Sequence, residues 1–358
     1  MISAAFYAPM KSPNDPVPSG DRSMARALLQ ALAEAGLDTT LASELRSRDS
    51  KGNPARQAEL MALAKLERER LVQQGRAAGW QLWISYHNYY KAPDLLGPAT
   101  AAALGIPYVL IESTRARKRL DGPWARFARA AEAATDAAAI VFCLTEHDAE
   151  ALHKYRPAGQ VIAPLHPFLP VKALPPETTR ESALLSVGMM RAGDKSASYG
   201  LIAETMAYVQ KEAWHLMIAG DGPARAEVEQ LMARFGTRVR FLGALSGKAL
   251  QQAYGSAGLF FWPGVNEAFG MAYLEAQAAG LTVVAQDRPG VRDVLAPGAS
   301  YPAVEQGPRA LAARLDLLLA SPKLTTCLGK AARAHVAKHH LLGPASARLK
   351  SVLSEVLS

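Results

Sequence analysis

Short apolar runs alternate with longer amphipathic segments along most of this 358-residue chain. Such runs predict buried strands, and helical periodicity between them predicts amphipathic helices at 23–35 and 54–78. In the first half the strands are expected at 2–7, 37–42, 81–86, 108–111, 138–144 and 160–163. Because strand and helix alternate regularly, we expect an α/β fold with a parallel sheet covered on both faces.

A proline-rich segment interrupts the alternation. Five prolines lie between residues 164 and 176, and polar residues continue to Glu181, which is typical of an interdomain linker. A second series of strands is expected at 183–187, 215–219, 239–242, 258–262 and 281–285, followed by helices. We therefore predict a first domain at 1–170 and a second at 171–343, with a ligand at the carboxyl ends of the strands.

The stretch 264–280 joins two predicted strands through a glycine-bearing loop and a helix that begins near Phe269 and Gly270. The free N–H groups and positive dipole end of such a helix favour an anion such as pyrophosphate. Glu267 lies in the loop and Glu275 in the helix, about 12 Å apart if the segment were helical throughout. This separation suits two parts of one extended ligand. In so apolar a helix, Glu275 is costly to bury unless a group such as a sugar hydroxyl pairs with it. The alternative is that Glu275 lies on a narrow wet face or pairs with a neighbouring arginine.

The two carboxylates have the spacing E-x7-E, with Phe269 and Gly270 between them and Ala279 and Gly280 before the next strand. This pattern resembles the signature of retaining nucleotide-sugar glycosyltransferases of the GT-B fold, family 4 or group 1 type, and the similarity extends to about residue 320. The resemblance implies two Rossmann-like domains whose parallel sheets face a central cleft. It also implies that the last helix, about 344–358, packs back on the first domain.

The resemblance implies roles around a nucleotide-diphosphate sugar. Glu267 is expected to act at the hydroxyls of the transferred sugar and Glu275 to bind the ribose, with Phe269 and Gly270 near the sugar and phosphates. Lys195 and Arg191 are expected to stabilise the leaving diphosphate in place of a metal ion.

Three donor-side assignments depart from the family pattern or depend on it alone. Relatives usually carry Arg at the position of Met189, so Lys195 is preferred to Arg191 as the principal cation. The segment around Arg240 resembles one whose backbone contacts the nucleotide base. Ser19 and Gly20 stand where relatives often have a Gly-Gly pair that lets the backbone approach the diphosphate, although a plain turn glycine is the alternative.

On the acceptor or sugar side, the candidates are His87 and Ser113, each after a predicted strand. A purely structural histidine is the alternative for His87. Relatives often place a histidine near Ser113 that contacts the transferred sugar, and this chain lacks it. The basic run Arg115, Arg117, Lys118 and Arg119 predicts either a solvated face or a site for an anionic acceptor or phospholipid headgroup.

Composition and charge limit the ligands and the cellular location that we expect for this protein. The net charge of +8 fits anionic ligands or lipid surfaces, and it does not by itself indicate nucleic acid. No run reaches the roughly 20 apolar residues of a membrane span, and the first residues lack the basic start of a signal peptide. Cys143 and Cys327 fit reduced thiols, and neither lies in a metal-ligand pattern. We expect a cytoplasmic protein, with peripheral contact at the inner face of the membrane left open, and no resident cofactor or metal.

These observations predict a retaining, metal-independent transfer of a sugar to a glycan, a lipid-linked molecule or a small molecule, in a setting such as polysaccharide biosynthesis. A nucleotide-sugar epimerase or hydrolase of the same fold remains an alternative, as does a non-catalytic subunit that binds nucleotide-sugar. A nicotinamide-dependent oxidoreductase is disfavoured, because the loop after strand 2–7 has no glycine triad.

Overall fold

The computed structural model describes residues 1–17, 19–178, 181 and 183–357. The chain forms two compact units, Met1–His166 with Leu342–Ser358, and Pro167–Leu341. The chain first passes from one unit to the other between His166 and Pro167, close to the boundary predicted at residue 170.

Six parallel strands form the sheet of the first unit. They are β1 (Ile2–Tyr7), β2 (Leu37–Ser43), β3 (Leu82–Asn88), β4 (Tyr108–Ser113), β5 (Ile140–Cys143) and β6 (Val161–Pro164), in the order β2-β1-β3-β4-β5-β6. All six predicted strands are present, with ends shifted by no more than two residues. The inner strands are buried along most of their length, which explains why they are apolar runs rather than alternating ones.

The helices of this unit that precede the crossing are α1 (Gly20–Glu34), α2 (Pro54–Ala78), α3 (Gly97–Leu104), α4 (Ala125–Ala137) and α5 (Glu146–Tyr155). Helix α1 begins three residues before the predicted start at Ser23, because Ser19 caps it: the Ser19 hydroxyl accepts a hydrogen bond from the Arg22 N–H at 3.2 Å. Helix α2 has the predicted bounds, set by the Asn53 side chain at one end and the left-handed Gly79 at the other.

Five parallel strands form the sheet of the second unit, and the predicted strands are again all present. They are β7 (Ala183–Val187), β8 (His215–Ala219), β9 (Val239–Gly243), β10 (Leu259–Phe261) and β11 (Thr282–Val284), in the order β11-β10-β7-β8-β9. Its helices are α6 (Asp194–Met206), α7 (Arg225–Met232), α8 (Gly247–Ser256), α9 (Met271–Ala278), α10 (Gly307–Ala320) and α11 (Pro322–His339).

The last helix, α12 (Leu342–Leu357), belongs to the first unit although it follows the second in the sequence. Its Ser346 hydroxyl donates to the carbonyl of Ala31 in α1 at 2.7 Å, and Leu349 is fully buried. The resemblance implied this packing for residues 344–358. Within the described part of the chain, no helix has both the length and the hydropathy needed to cross a bilayer.

Candidate functional site

The loop between β10 and α9 has a backbone path that requires two glycines. Gly264 and Gly270 both have φ of +77°, and an added Cβ at either would collide with Tyr273, at its hydroxyl or its ring. The Tyr273 hydroxyl donates to the carbonyl of Trp262 at 3.0 Å. The first turn of α9 therefore fixes the start of the loop, and Glu267 lies on a defined path rather than on a free one.

Helix α6 holds the other side of this loop. The Ser198 hydroxyl accepts from the Val265 N–H at 3.1 Å, and the Asn266 amide donates to Asp194 at 2.8 Å. Lys195 Nζ forms an ion pair with Glu267 Oε1. These contacts arise because β10 lies beside β7 in the sheet, so the loop that follows one strand meets the helix that follows the other. The structure thus brings together Lys195 and Glu267, two predicted site residues.

Glu267 is positioned by two donors on the same oxygen. Besides Lys195, the indole N–H of Trp262 donates to Oε1 at 2.9 Å, and Lys195 Nζ lies 5.2 Å from the centroid of that indole. Trp262 is 1% exposed and makes an edge-to-face contact with Tyr199. A Cβ at Gly188 would lie 2.6 Å from the indole, so this glycine leaves room for it. Among the described residues no hydrogen bond engages Glu267 Oε2, which leaves that oxygen for a ligand.

Glu275 lies on α9 with one fixed partner. The hydroxyl of the buried Tyr254, in α8, donates to Glu275 Oε2 at 2.8 Å. Burial raises the pKa of Glu275 above its usual value, and the Tyr254 hydrogen bond works against that rise. Glu275 is nevertheless partly exposed. One of its carboxylate oxygens already accepts the hydrogen bond from Tyr254.

The start of α9 is open to an anion. Gly270 occupies the cap position, and among the described residues no side chain caps the first N–H groups of the helix. A Cβ at Gly290 would overlap the carbonyl oxygen of Ala268, so a second loop packs directly against this segment. Phe269 is half-buried against the core of the unit. Phe269 and Gly270 therefore lie at the helix N-terminus, where the sequence predicted them.

The two predicted arginines of this unit differ in position. Arg191 is exposed in the turn that precedes α6, on the same segment as Lys195, and its carbonyl accepts from the Ser196 N–H at 3.0 Å. Arg240 is exposed within β9, opposite Met217, rather than at the carboxyl end of the strand. Arg191 therefore lies on the segment that carries Lys195, whereas Arg240 lies on a different strand, β9.

In the first unit, Ser19 and Gly20 lie at the start of α1, which follows β1 after a loop. Ser19 uses its hydroxyl as the helix cap, while Gly20 is exposed with open space where a Cβ would lie. Packing therefore does not require glycine at this position. The next residue, Asp21, was not among the predicted site residues, and its Oδ1 lies 3.0 Å from Nδ1 of His87.

His87 and Glu112 occupy matching places on neighbouring strands. They lie between the register pairs Tyr86–Ile111 and Asn88–Ser113 of β3 and β4, and their φ values are +67° and +61°. Glu112 Oε2 lies 3.9 Å from His87 Nδ1. Burial alone would lower the pKa of His87, but the charges of Glu112 and Asp21, and the hydrogen bond to Asp21, raise it to about 9.

Two first-unit assignments need correction. Ser113 is 1% exposed, and its hydroxyl is used inside the unit by Asn88 and by Thr135, at 2.9 Å from the latter. Its hydroxyl is therefore committed to contacts inside the unit, and its neighbour Glu112 is the residue that lies beside His87. Arg115 is bound to Glu132 at 2.7 Å and Asp136 at 2.6 Å, with a side chain that is 1% exposed. Arg115 is thus a structural cation and is not available to an anionic acceptor.

Comparison with known proteins identifies the second unit. Residues 187–335 match the family described as glycosyl transferases group 1. Over this range the second unit is similar to the group 1 glycosyl transferases. The matched range contains Lys195, Glu267 and Glu275, so the three side chains with defined partners lie in the family's own segment.

Two curated relatives match a part of the chain. The sulfoquinovosyl transferase SQD2 of Arabidopsis thaliana is 40% identical over 76 residues, which are 21% of this chain and 14% of that protein. A GDP-mannose-dependent alpha-mannosyltransferase of Mycolicibacterium smegmatis is 42% identical over 82 residues, 23% of this chain and 21% of that protein. The matched segments thus span well under half the length of these relatives.

The fold is shared along the whole chain. The structure of Anabaena HepE in complex with UDP aligns with a TM-score of 0.73 over 99% of this chain and 100% of that one, at 14% identity. The chain therefore has the two-domain GT-B architecture that the sequence predicted.

Proposed function

We propose that the chain is a retaining glycosyltransferase that moves a sugar from a nucleotide-diphosphate donor to an acceptor without a metal ion. One observation carries this proposal: two carboxylates on the element after β10 are each fixed by a buried aromatic donor. Trp262 holds Glu267 and Tyr254 holds Glu275, at 2.9 Å and 2.8 Å. Fixed acceptors with free lone pairs are what sugar and ribose hydroxyls require.

The charges beside these carboxylates suit a diphosphate leaving group. Lys195 carries three donors, so it can keep its contact with Glu267 while a phosphate oxygen takes another N–H. The uncapped start of α9 adds N–H groups and the positive end of its dipole. In a front-face mechanism the departing phosphate takes the proton of the acceptor, so no side-chain base is obligatory. Arg191, on the Lys195 segment, would add charge as the diphosphate leaves.

The donor is proposed only as a class. The mannosyltransferase relative is named for GDP-mannose, and HepE was solved with UDP. Uridine, guanosine and adenosine diphosphates with their common sugar conjugates are therefore the set to test.

The experiment measures thermal stabilisation by each nucleotide and its sugar conjugates, and in parallel the release of nucleoside diphosphate. A ligand at 100 times its Kd stabilises the folded state by about 2.7 kcal/mol, so selective binding is easily detected. Glu275→Ala should lose the stabilisation. Glu229→Ala, on the exposed Arg225 ion pair of α7, is the matched control and should keep it.

The outcomes separate the alternatives. If Glu275→Ala kept full turnover and undiminished donor affinity, the assignment of this site would be wrong. Donor turnover that needs no acceptor would indicate an epimerase or hydrolase. Selective binding with no turnover under any acceptor would indicate a non-catalytic subunit, a reading that the exposed Met189 at the usual arginine position favours.

A further inference from the structure

The carboxyl ends of β3 and β4 carry paired backbone strain. His87 and Glu112 face each other across the two strands, and both have left-handed φ values. Each such non-glycine residue costs of order 1–3 kcal/mol, and it persists only where the surrounding structure imposes it. Two of them at matching positions bring an imidazole and a carboxyl group within 3.9 Å.

The imidazole of His87 is fixed on one edge and free on the other. Nδ1 pairs with Asp21, while among the described residues no hydrogen bond engages Nε2. The side chain is 17% exposed. The carboxyl groups around the ring come from α1, β4 and α5, namely Asp21, Glu112 and Asp148, and they favour the protonated imidazole. A protonated His87 therefore presents an N–H donor toward a ligand.

Glu112 has His87 as a charged neighbour, but among the described residues one of its oxygens makes no hydrogen bond although the side chain is buried. The residue is 7% exposed, and its Oε2 makes no hydrogen bond to any described residue. An unsatisfied buried acceptor costs about 1–3 kcal/mol, and such groups in native proteins call for an explanation. A ligand that supplies an O–H would remove the cost.

The chemistry of the cluster distinguishes between ligand classes. A hydroxyl both accepts a hydrogen bond, as the His87 N–H requires, and donates one, as the Glu112 carboxyl requires. An ionised phosphate or carboxylate lacks the donor, and it would meet the carboxyl groups of Asp21, Glu112 and Asp148 as well as the cations Lys11 and Arg48, which act on Asp21. In the basic run that follows β4, Arg115 is already bound to Glu132 and Asp136.

We propose that Asp21, His87 and Glu112 form a hydroxyl-binding subsite, and that it takes a neutral sugar or polyol as the acceptor of the transferase. The assignment of this ligand as the acceptor rests on the proposed function, whereas the binding of a hydroxyl group does not. Asp21 orients the ring, His87 donates to the ligand oxygen, and Glu112 receives the ligand proton. An anionic headgroup is excluded from this subsite.

The test is a titration of the full chain followed by NMR of isotope-labelled histidine. The probes are methyl α-mannoside, methyl α-glucoside, methyl α-galactoside and myo-inositol, with inorganic phosphate as the anion. We expect a saturable shift of the His87 signal with at least one neutral probe and none with phosphate. His87→Asn, chosen because Asn tolerates a positive φ, has no His87 signal, so its binding is measured by calorimetry beside wild type and should be at least tenfold weaker. Glu112→Gln should weaken it less, because the amide keeps the shape of the side chain.

His153→Asn, on the exposed face of α5, is the matched control and should leave binding unchanged. A neutral glycolipid in vesicles, compared with the same glycoside in solution, separates a lipid-linked acceptor from a free one. A saturable response to phosphate alone would overturn the proposal, as would neutral binding that survives both variants.

Failure of this inference and failure of the proposed function are distinguishable. If nucleotides stabilise the protein but no neutral probe shifts His87, the subsite is wrong and the transferase stands. If neutral probes shift His87 but no nucleotide stabilises the protein, the subsite stands and the donor site is wrong.

Discussion

Raising the pH from 6 to 10 should destabilise the first unit through His87. Its pKa is raised from 6.5 to about 9 in the folded protein. Because the folded-state pKa lies above the unfolded one, the stabilisation is fully present below pH 6.5 and is lost as the pH rises through 9. At about 1.4 kcal/mol per pKa unit, the loss amounts to about 3 kcal/mol.

The groups around the ring set the range over which this loss is measured. Burial also raises the pKa values of Glu112 and Asp148, so their contributions are lost with rising pH too, but from a lower starting pH. Burial acts in the same direction on Asp21, but the hydrogen bond and charge of His87 outweigh it and lower the pKa of that carboxyl. Because such a cluster titrates as a unit, the informative quantity is the difference between wild type and a His87 variant.

The assay is amide hydrogen exchange of peptides from β3 and β4 at several pH values, in wild type, His87→Asn and Asp21→Asn. Exchange rates are first corrected for their intrinsic pH dependence. Wild type should lose protection relative to His87→Asn between pH 6.5 and 10, and Asp21→Asn should lose less. The control His153→Asn should follow wild type. If the protection of wild type relative to His87→Asn stayed constant across this range, or increased with pH, the assignment of a stabilised imidazolium would be refuted.

Three further predictions concern the second unit. Trp262→Phe removes one of two donors to Glu267 Oε1, so KM for the donor should rise several-fold in steady-state kinetics, and an unchanged KM would argue against positioning by the indole. Tyr254→Phe leaves the partly buried Glu275 without its hydroxyl donor and should cost about 1 kcal/mol in urea unfolding, with weaker nucleotide binding by calorimetry. Gly290→Ala overlaps the Ala268 carbonyl at a φ of +79°, so it should cost about 1–3 kcal/mol and reduce turnover, whereas Gly298→Ala, with open space at a similar φ, should reduce turnover less.

The order of strands and helices was predictable because parallel strands with helices on both faces are apolar throughout. The start of α1 was not, because the signal is a polar cap at Ser19 rather than an apolar residue. The E-x7-E element was as predictable as the order of strands and helices, because its residues lie on one contiguous stretch of the sequence. The contact between Lys195 and Glu267 was not, because it joins residues that are far apart in sequence and depends on β10 lying beside β7.

The first-unit site shows a different limit of sequence reasoning. The predicted residue, Ser113, is the direct neighbour of Glu112, the residue that lies beside His87. The backbone at Glu112 is left-handed, and this conformation determines which of the two side chains meets His87. Ordinary alternation along a strand does not predict such a residue, because non-glycine residues rarely adopt it. A charged residue at the end of a buried strand, as in Ile111-Glu112-Ser113, was the available signal.

The two sites differ in charge in a way that fits the two substrates of a transferase. The second unit offers Lys195, Arg191 and an uncapped helix start, which would stabilise the proposed diphosphate. In the first unit the carboxyl groups of Asp21, Glu112 and Asp148 surround the His87 imidazole, Lys11 and Arg48 also act on Asp21, and the proposed ligand is a neutral hydroxyl. Charge, more than shape, would distinguish the donor from the acceptor in this protein.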